Sequence, residues 1–291
     1  MNWDVGGRAA SIAITAALAM LITSYNQWVT LVIGFGFAHY LLSFYYARAG
    51  IRTSLRNPLM FLPLVSLGAL LAMVYFLQFP LEIYFGLHHA CNEGYLRQNN
   101  SPVARNNARQ LAATRALFHL AAYLCILRSD PMISRLPEPF LWSFLLLAIV
   151  LYLNQLRVTH PEANTGASWV LKQSGVELVV LLLLGLSFFT QITFLQVVMY
   201  HFVLWTIMPV RVMKHQGTGQ LAEYGLLTVG TLLFFIVLIT NQFFSNALNL
   251  SFYYSQFILW SYIHITTSFA LSSAHPQWIV GLFREPAPIT R

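Results

Sequence analysis

Six histidines lie inside apolar, helix-length stretches of this chain: His39, His88, His89, His119, His201 and His264. Neutral imidazole is the commonest side-chain ligand for zinc, iron and copper, whereas magnesium and calcium prefer oxygen. An ionisable group at bilayer depth costs at least a few kcal/mol, so it survives by facing a partner, a cavity or a metal. Histidines contributed by five separate segments therefore predict a site in the centre of a helix bundle. All six are candidate ligands. His39, His89, His201 and His264 form the leading set, with His88 and His119 as further ligands or their supports. Non-haem iron is the expected metal, with copper or haem as alternatives.

The segment around His89 carries the densest pattern. Residues three, four and seven apart share a helical face, which puts Glu82, His89 and Glu93 on one stripe and His88 and Asn92 on the next. A carboxylate one turn after a histidine can complete a coordination sphere or orient the imidazole, and Glu93 is assigned that role. Glu177 is a candidate proton relay, with a structural pair to nearby Lys172 or Gln173 as the rival reading. His160 and His215 fall in polar connections and are expected to be solvated, and His275 lies at the inner end of the last apolar stretch. Cys91 and Cys125 sit in apolar surroundings, so buried thiols are expected rather than a disulfide.

These residues need apolar elements to hold them. The 291 residues are 57% hydrophobic and only 9% charged, against about 25% charged in soluble domains. The expected fold class is therefore an all-α, polytopic integral membrane helix bundle. A span takes about 20 apolar residues, and ten stretches qualify: Ala9–Tyr25, Trp28–Arg48, Pro58–Gln78, Pro80–Arg97, Gln110–Leu127, Pro139–Leu156, Ser168–Thr190, Ile192–Val212, Leu221–Thr240 and Phe252–Ala274. With both termini cytoplasmic, the connections holding Arg48, Arg52, Arg56, Arg97, Arg105 and Arg109 face inward. Only Arg128 and Arg135 face outward, as the positive-inside rule requires. The net charge of +7 is accounted for by this topology, and no nucleic-acid partner is expected. A single transmembrane domain over residues 1–291 is expected in a bacterial inner (cytoplasmic) membrane. The first stretch reads as a span and not as a cleaved signal.

A Gly-rich phosphate loop and a GxSxG elbow are both missing from the sequence, as are the clustered HxxxH and HxxHH sets of membrane desaturases. What remains is a set of single histidines on many helices. In that order, GFGFAHYLLSFYY around His39, EIYFGLHHACNEGY around His89, VVMYHFVLWTIMPVR around His201 and FALSSAHPQWIVGLF around His275 resemble the four His segments of the Brp/Blh-type membrane carotenoid-cleaving oxygenases. The resemblance covers most of the chain. It implies a non-haem iron held by single histidines and O2-dependent oxidation of a lipid-soluble substrate, a carotenoid or another lipid. The chain departs from that family at Tyr40, where a Gly would follow the first His, in the single His of the third segment, and in His264, which competes with His275.

The expected function is thus a membrane non-haem metal-dependent oxygenase or oxidase. Two readings from other classes stand beside it. One is a haem-binding electron-transfer subunit, with His119 facing His201 or His264 as axial ligands. The other is a proton-coupled transporter relaying through His and Glu, although neither repeat halves nor a pair of Gly/Pro-broken helices is visible.

Overall fold

The computed structural model describes residues 3–56, 80–98, 105–159, 167–241 and 250–271, with a few single positions between 68 and 77. The described residues are helical, without a strand. Nine α-helices follow in order: α1 Trp3–Leu21, α2 Tyr25–Arg56, α3 Leu81–Gln98, α4 Arg105–Ile126, α5 Glu138–Thr159, α6 Ala167–Leu186, α7 Phe194–Gln216, α8 Thr218–Thr240 and α9 Leu250–Leu271. A single 3-10 turn, Ile133–Arg135, precedes α5. Each helix overlaps one of the expected apolar stretches. The expected Pro58–Gln78 stretch lies almost wholly outside the described residues, as do His160, His275 and the side chain of His215.

Three helices are long and apolar enough to cross a membrane: Tyr25–Tyr45 within α2, Glu138–Thr159 and Thr218–Thr240. Their outward faces show what they are solvated by. On α5 one stripe is buried (Leu141, Leu145, Ala148, Tyr152, Leu156), while Leu146, Leu147, Val150 and Leu153 on the other side are exposed. On α8 only Tyr224 and Ile239 are buried, and Leu226, Val229, Leu233, Phe234 and Val237 are exposed. Contiguous exposed apolar surface of this extent marks a lipid-facing or partner-facing helix. Shorter apolar helical pieces run Val5–Leu21, Ser174–Leu186 and Phe194–Val210.

Helix ends do not coincide with hydropathy ends. α2 continues past Arg48 to Arg56, and α4 begins at Arg105, before its apolar part. Backbone hydrogen bonding does not stop where side chains become polar; caps end a helix. At α7, Thr193 accepts from the Gln196 backbone N–H while its own N–H donates to Gln196 Oε1 at 2.9 Å, a complete capping box. Between α7 and α8 the chain reverses through Gly217 at φ 124°, a backbone region that L side chains rarely adopt.

The contacts divide the chain into two compact units. The first holds Met1–Ala49 and Thr193–His264, the second Gly50–Ile192 and Ile265–Arg291. In the first, α1 packs along α7 and α7 along α8. Pro209 interrupts α7 and cannot donate to the Trp205 carbonyl. The Tyr224 hydroxyl from α8 fills the gap, donating to Thr206 O at 2.8 Å with Trp205 O at 3.4 Å.

In the second unit α4 is the hub, packed against α3, α5 and α6. The approach of α3 is close: a Cβ at Gly86 would collide with the Tyr123 ring, and the Tyr123 hydroxyl donates to Glu82 O at 2.8 Å. Within α6 the backbone leaves helical geometry at Ser174 (φ −112°, ψ 17°), beside Gly175, a Ser/Gly pair of the kind that kinks helices. Past α4, Arg128 donates to Cys125 O, to Ser187 Oγ at 2.8 Å and to Ser187 O at 3.0 Å. Its guanidinium lies 4.3 Å over the Phe188 ring, which stacks on Trp142. One side chain thus satisfies carbonyls at the ends of both α4 and α6.

Candidate metal centre

Three of the six expected histidines meet in the first unit. His39 comes from α2, His201 from α7 and His264 from the last residue of α9 within that unit. The Nε2 atoms of His39 and His264 are 3.2 Å apart. Their ring centroids are separated by 4.7 Å, and the His201 ring lies 5.4 Å from that of His39. His201 is 1% exposed and His264 7%. The surroundings are aromatic: Phe202 is 5.2 Å from His39, Trp205 is 6.2 Å from His201 and Tyr40 is 5.0 Å from His264, all between ring centroids.

The helices that deliver these rings are brought close by a missing side chain. A Cβ at Gly36, one turn before Tyr40, would penetrate the Phe257 ring of α9 and stand 3.3 Å from Phe202 of α7. Glycine at this position lets α2 approach both partners at the level of the histidines.

No protein-family model, curated protein or solved structure matches this chain.

The His39–His264 separation can be tested against metal geometry. For metal–nitrogen bonds of about 2.0–2.1 Å and ligand angles between the octahedral and tetrahedral values, two ligand nitrogens lie about 2.8–3.4 Å apart. The observed 3.2 Å falls in that window, and each imidazole presents the nitrogen a metal would take. The same spacing suits a hydrogen bond between opposite tautomers. Among the described residues no three His, Cys, Asp or Glu side chains form a preassembled metal cage. The fit is therefore that of a ligand pair with a third imidazole beside it.

The other expected site residues belong to the second unit: His88, His89 and Glu93 on α3, His119 on α4 and Glu177 on α6. All five are buried. The stripe read from the sequence is present: Asn92 Nδ2 donates to His88 Nε2 at 3.0 Å, so the ring proton of neutral His88 sits on Nδ1. Phe85, one turn earlier, lies parallel to the His89 ring at 6.2 Å. Glu177 has a partner on a neighbouring helix, and the side chains of the expected Lys172 and Gln173 lie outside the described residues. Arg115 of α4 approaches with Nε 3.3 Å from Glu177 Oε1, and the two side chains are 6% and 3% exposed. The guanidinium also lies 5.7 Å from the Tyr152 ring centroid, and the Tyr152 hydroxyl is hydrogen-bonded to Ser174 Oγ at 2.9 Å at the α6 kink. Both cysteines are free and buried.

Sequence reasoning missed three polar residues that these sites use. Arg115 was visible as a charge within an apolar stretch, a signal that it needed a buried counter-ion. Tyr40 and Ser261, whose hydroxyls meet at 2.6 Å beside His264, gave no such signal, because tyrosine and serine are frequent here and neither is costly in an apolar helix.

Proposed function

We propose that this chain is an integral membrane metalloenzyme, a non-haem iron oxygenase or oxidase of a lipid-soluble substrate. In this reading it crosses the bacterial inner membrane about ten times with both termini cytoplasmic. The observation that carries the proposal is the convergence of His39, His264 and His201 from three helices, with two Nε2 atoms at ligand spacing. The proposal narrows the ligands expected from sequence to these three. His88, His89, His119 and Glu93 become the buried polar group of the second unit, and Glu177 becomes the counter-ion of Arg115. The chemistry agrees with what the resemblance to the Brp/Blh-type oxygenases implies.

Bound iron would supply the activation of O2. The chain's own residues do the rest. Neutral imidazoles offer Nε2 without bringing charge into the bilayer, and Phe202, Trp205 and Tyr40 keep water from the site. A substrate arriving sideways from lipid needs no soluble domain.

One observation favours a second reading. A His–His contact of 3.2 Å is also a hydrogen bond along which a proton can pass, as a proton-coupled transporter would require. Elemental analysis and a visible spectrum of detergent-purified protein, never exposed to chelator, separate the readings. About one equivalent of iron or copper without a Soret band is expected. A Soret band means a haem subunit, and folded protein that holds no metal and takes up none leaves the proton relay.

A further inference from the structure

Tyr40 lies next to His39 in sequence but serves a different helix. It touches three residues on one stripe of α9. Its ring is 6.0 Å from Phe257 at 29° and 5.0 Å from His264 at 32°, and its hydroxyl is 2.6 Å from Ser261 Oγ. Phe257, Ser261 and His264 are spaced four and three apart, so they share a face. Ser261 Oγ donates its only proton to the Phe257 carbonyl at 2.7 Å. It must therefore accept from the Tyr40 hydroxyl, which fixes the direction of the whole chain of bonds. Tyr40 and Ser261 are 4% and 5% exposed, so little solvent competes for these bonds.

Two neighbouring residues of α2 thus engage α9 one helical turn apart: His39 on His264 and Tyr40 on Ser261. The first contact would be replaced by metal bonds. The second persists and sets the register and separation of the two helices, while the Tyr40 ring forms a wall beside the His264 imidazole. We propose that Tyr40 and Ser261 are positioning residues, which hold the His264 ring at the angle and distance from His39 that a single metal ion requires. The inference rests on the metal reading given above.

Co2+ is the probe, because its visible absorption reports ligand geometry independently of turnover. Wild type, Tyr40→Phe, Ser261→Ala, Ser261→Thr and the double variant Tyr40→Phe/Ser261→Ala are titrated in detergent, with helix content followed by circular dichroism. Tyr40→Phe and Ser261→Ala are each expected to bind Co2+ about tenfold more weakly at unchanged stoichiometry, with an altered absorption envelope, as when a support of a metal ligand is removed. The double variant is expected to be no weaker than either single one, since both remove the same bond. Ser261→Thr, which keeps the hydroxyl, is expected to return most of the affinity. The Ser261 pair carries the same test should the ring variant fail to fold. Wild-type affinity and absorption in Tyr40→Phe and Ser261→Ala overturn the positioning role, whatever happens to their melting temperatures. Wild type that takes up no Co2+ overturns this inference together with the metal reading, whereas unaffected variants of a Co2+-binding wild type overturn this inference alone.

Discussion

The two units bury histidines in contrasting company. In the first, imidazole faces imidazole: His39 and His264 meet nitrogen to nitrogen with His201 beside them, and the walls are rings. In the second, polar groups are matched with complements: Arg115 with Glu177, Asn92 with His88, Tyr152 with Ser174. A carboxylate and a guanidinium, or an amide and an imidazole, satisfy each other. Neutral imidazoles pair only as opposite tautomers, each with one donor and one acceptor nitrogen, and a metal ion can take the place of the shared proton at the same spacing. The same residue type thus meets a side-chain amide in one region and another imidazole in the other, and the proposed metal reading rests on the second arrangement.

The largest expected effect lies in the second unit. Both members of the Arg115–Glu177 pair are almost wholly buried, and removing one leaves an uncompensated charge at a cost of about 3–5 kcal/mol. Arg115→Met and Glu177→Leu are each expected to lower the melting temperature sharply in detergent and to reduce membrane expression. The double variant, which removes both charges, is expected to recover most of the loss. If the double variant is as unstable as the single ones, the pair is more than a balance of charges, and the proton-relay role for Glu177 returns.

Metal retention sharpens the comparison next. His264→Ala and His39→Ala are expected to lose bound metal, with more than about tenfold weaker retention. His119→Ala and His89→Ala are expected to keep wild-type content while losing stability. Metal analysis of the four purified variants decides it. Equal content in all four would remove the functional distinction between the units, and loss in His89→Ala would restore the wider ligand set.

Much of this was legible in the sequence at the level of elements. Each described helix lies on an apolar stretch, and the His88–Asn92 contact follows from a spacing of four. The stretches Pro80–Arg97 and Gln110–Leu127 were both expected to span, but neither α3 nor α4 is apolar enough to count as a crossing helix by composition; their charged and amide side chains are too many. Partners between distant segments were not legible. Glu177 had nearer polar neighbours along the chain than Arg115, and nothing local says that α4 packs on α6. His264 and His39 belong to helices at opposite ends of the sequence, joined through the empty Cβ position of Gly36. Hydropathy reports which faces leave water, whereas packing order depends on which surfaces fit.

The smallest effect probes how α7 is held behind His201. Pro209 leaves the Trp205 carbonyl without its helical donor, and the Tyr224 hydroxyl serves that turn, chiefly through Thr206 O at 2.8 Å. Tyr224→Phe keeps the ring and removes the hydroxyl donor to two part-buried carbonyls, at a cost of about 1 kcal/mol. Tyr253 is the internal control: it is equally buried in the same unit, and its hydroxyl makes no hydrogen bond among the described residues. Tyr253→Phe is therefore expected to leave the melting temperature unchanged or to raise it slightly, whereas Tyr224→Phe lowers it. Because Trp205, next to His201, sits on the turn that Tyr224 caps, Tyr224→Phe should also weaken Co2+ binding modestly, by less than Tyr40→Phe does. A Tyr224→Phe protein that melts like wild type would show that the carbonyl freed by Pro209 needs no hydrogen bond from α8.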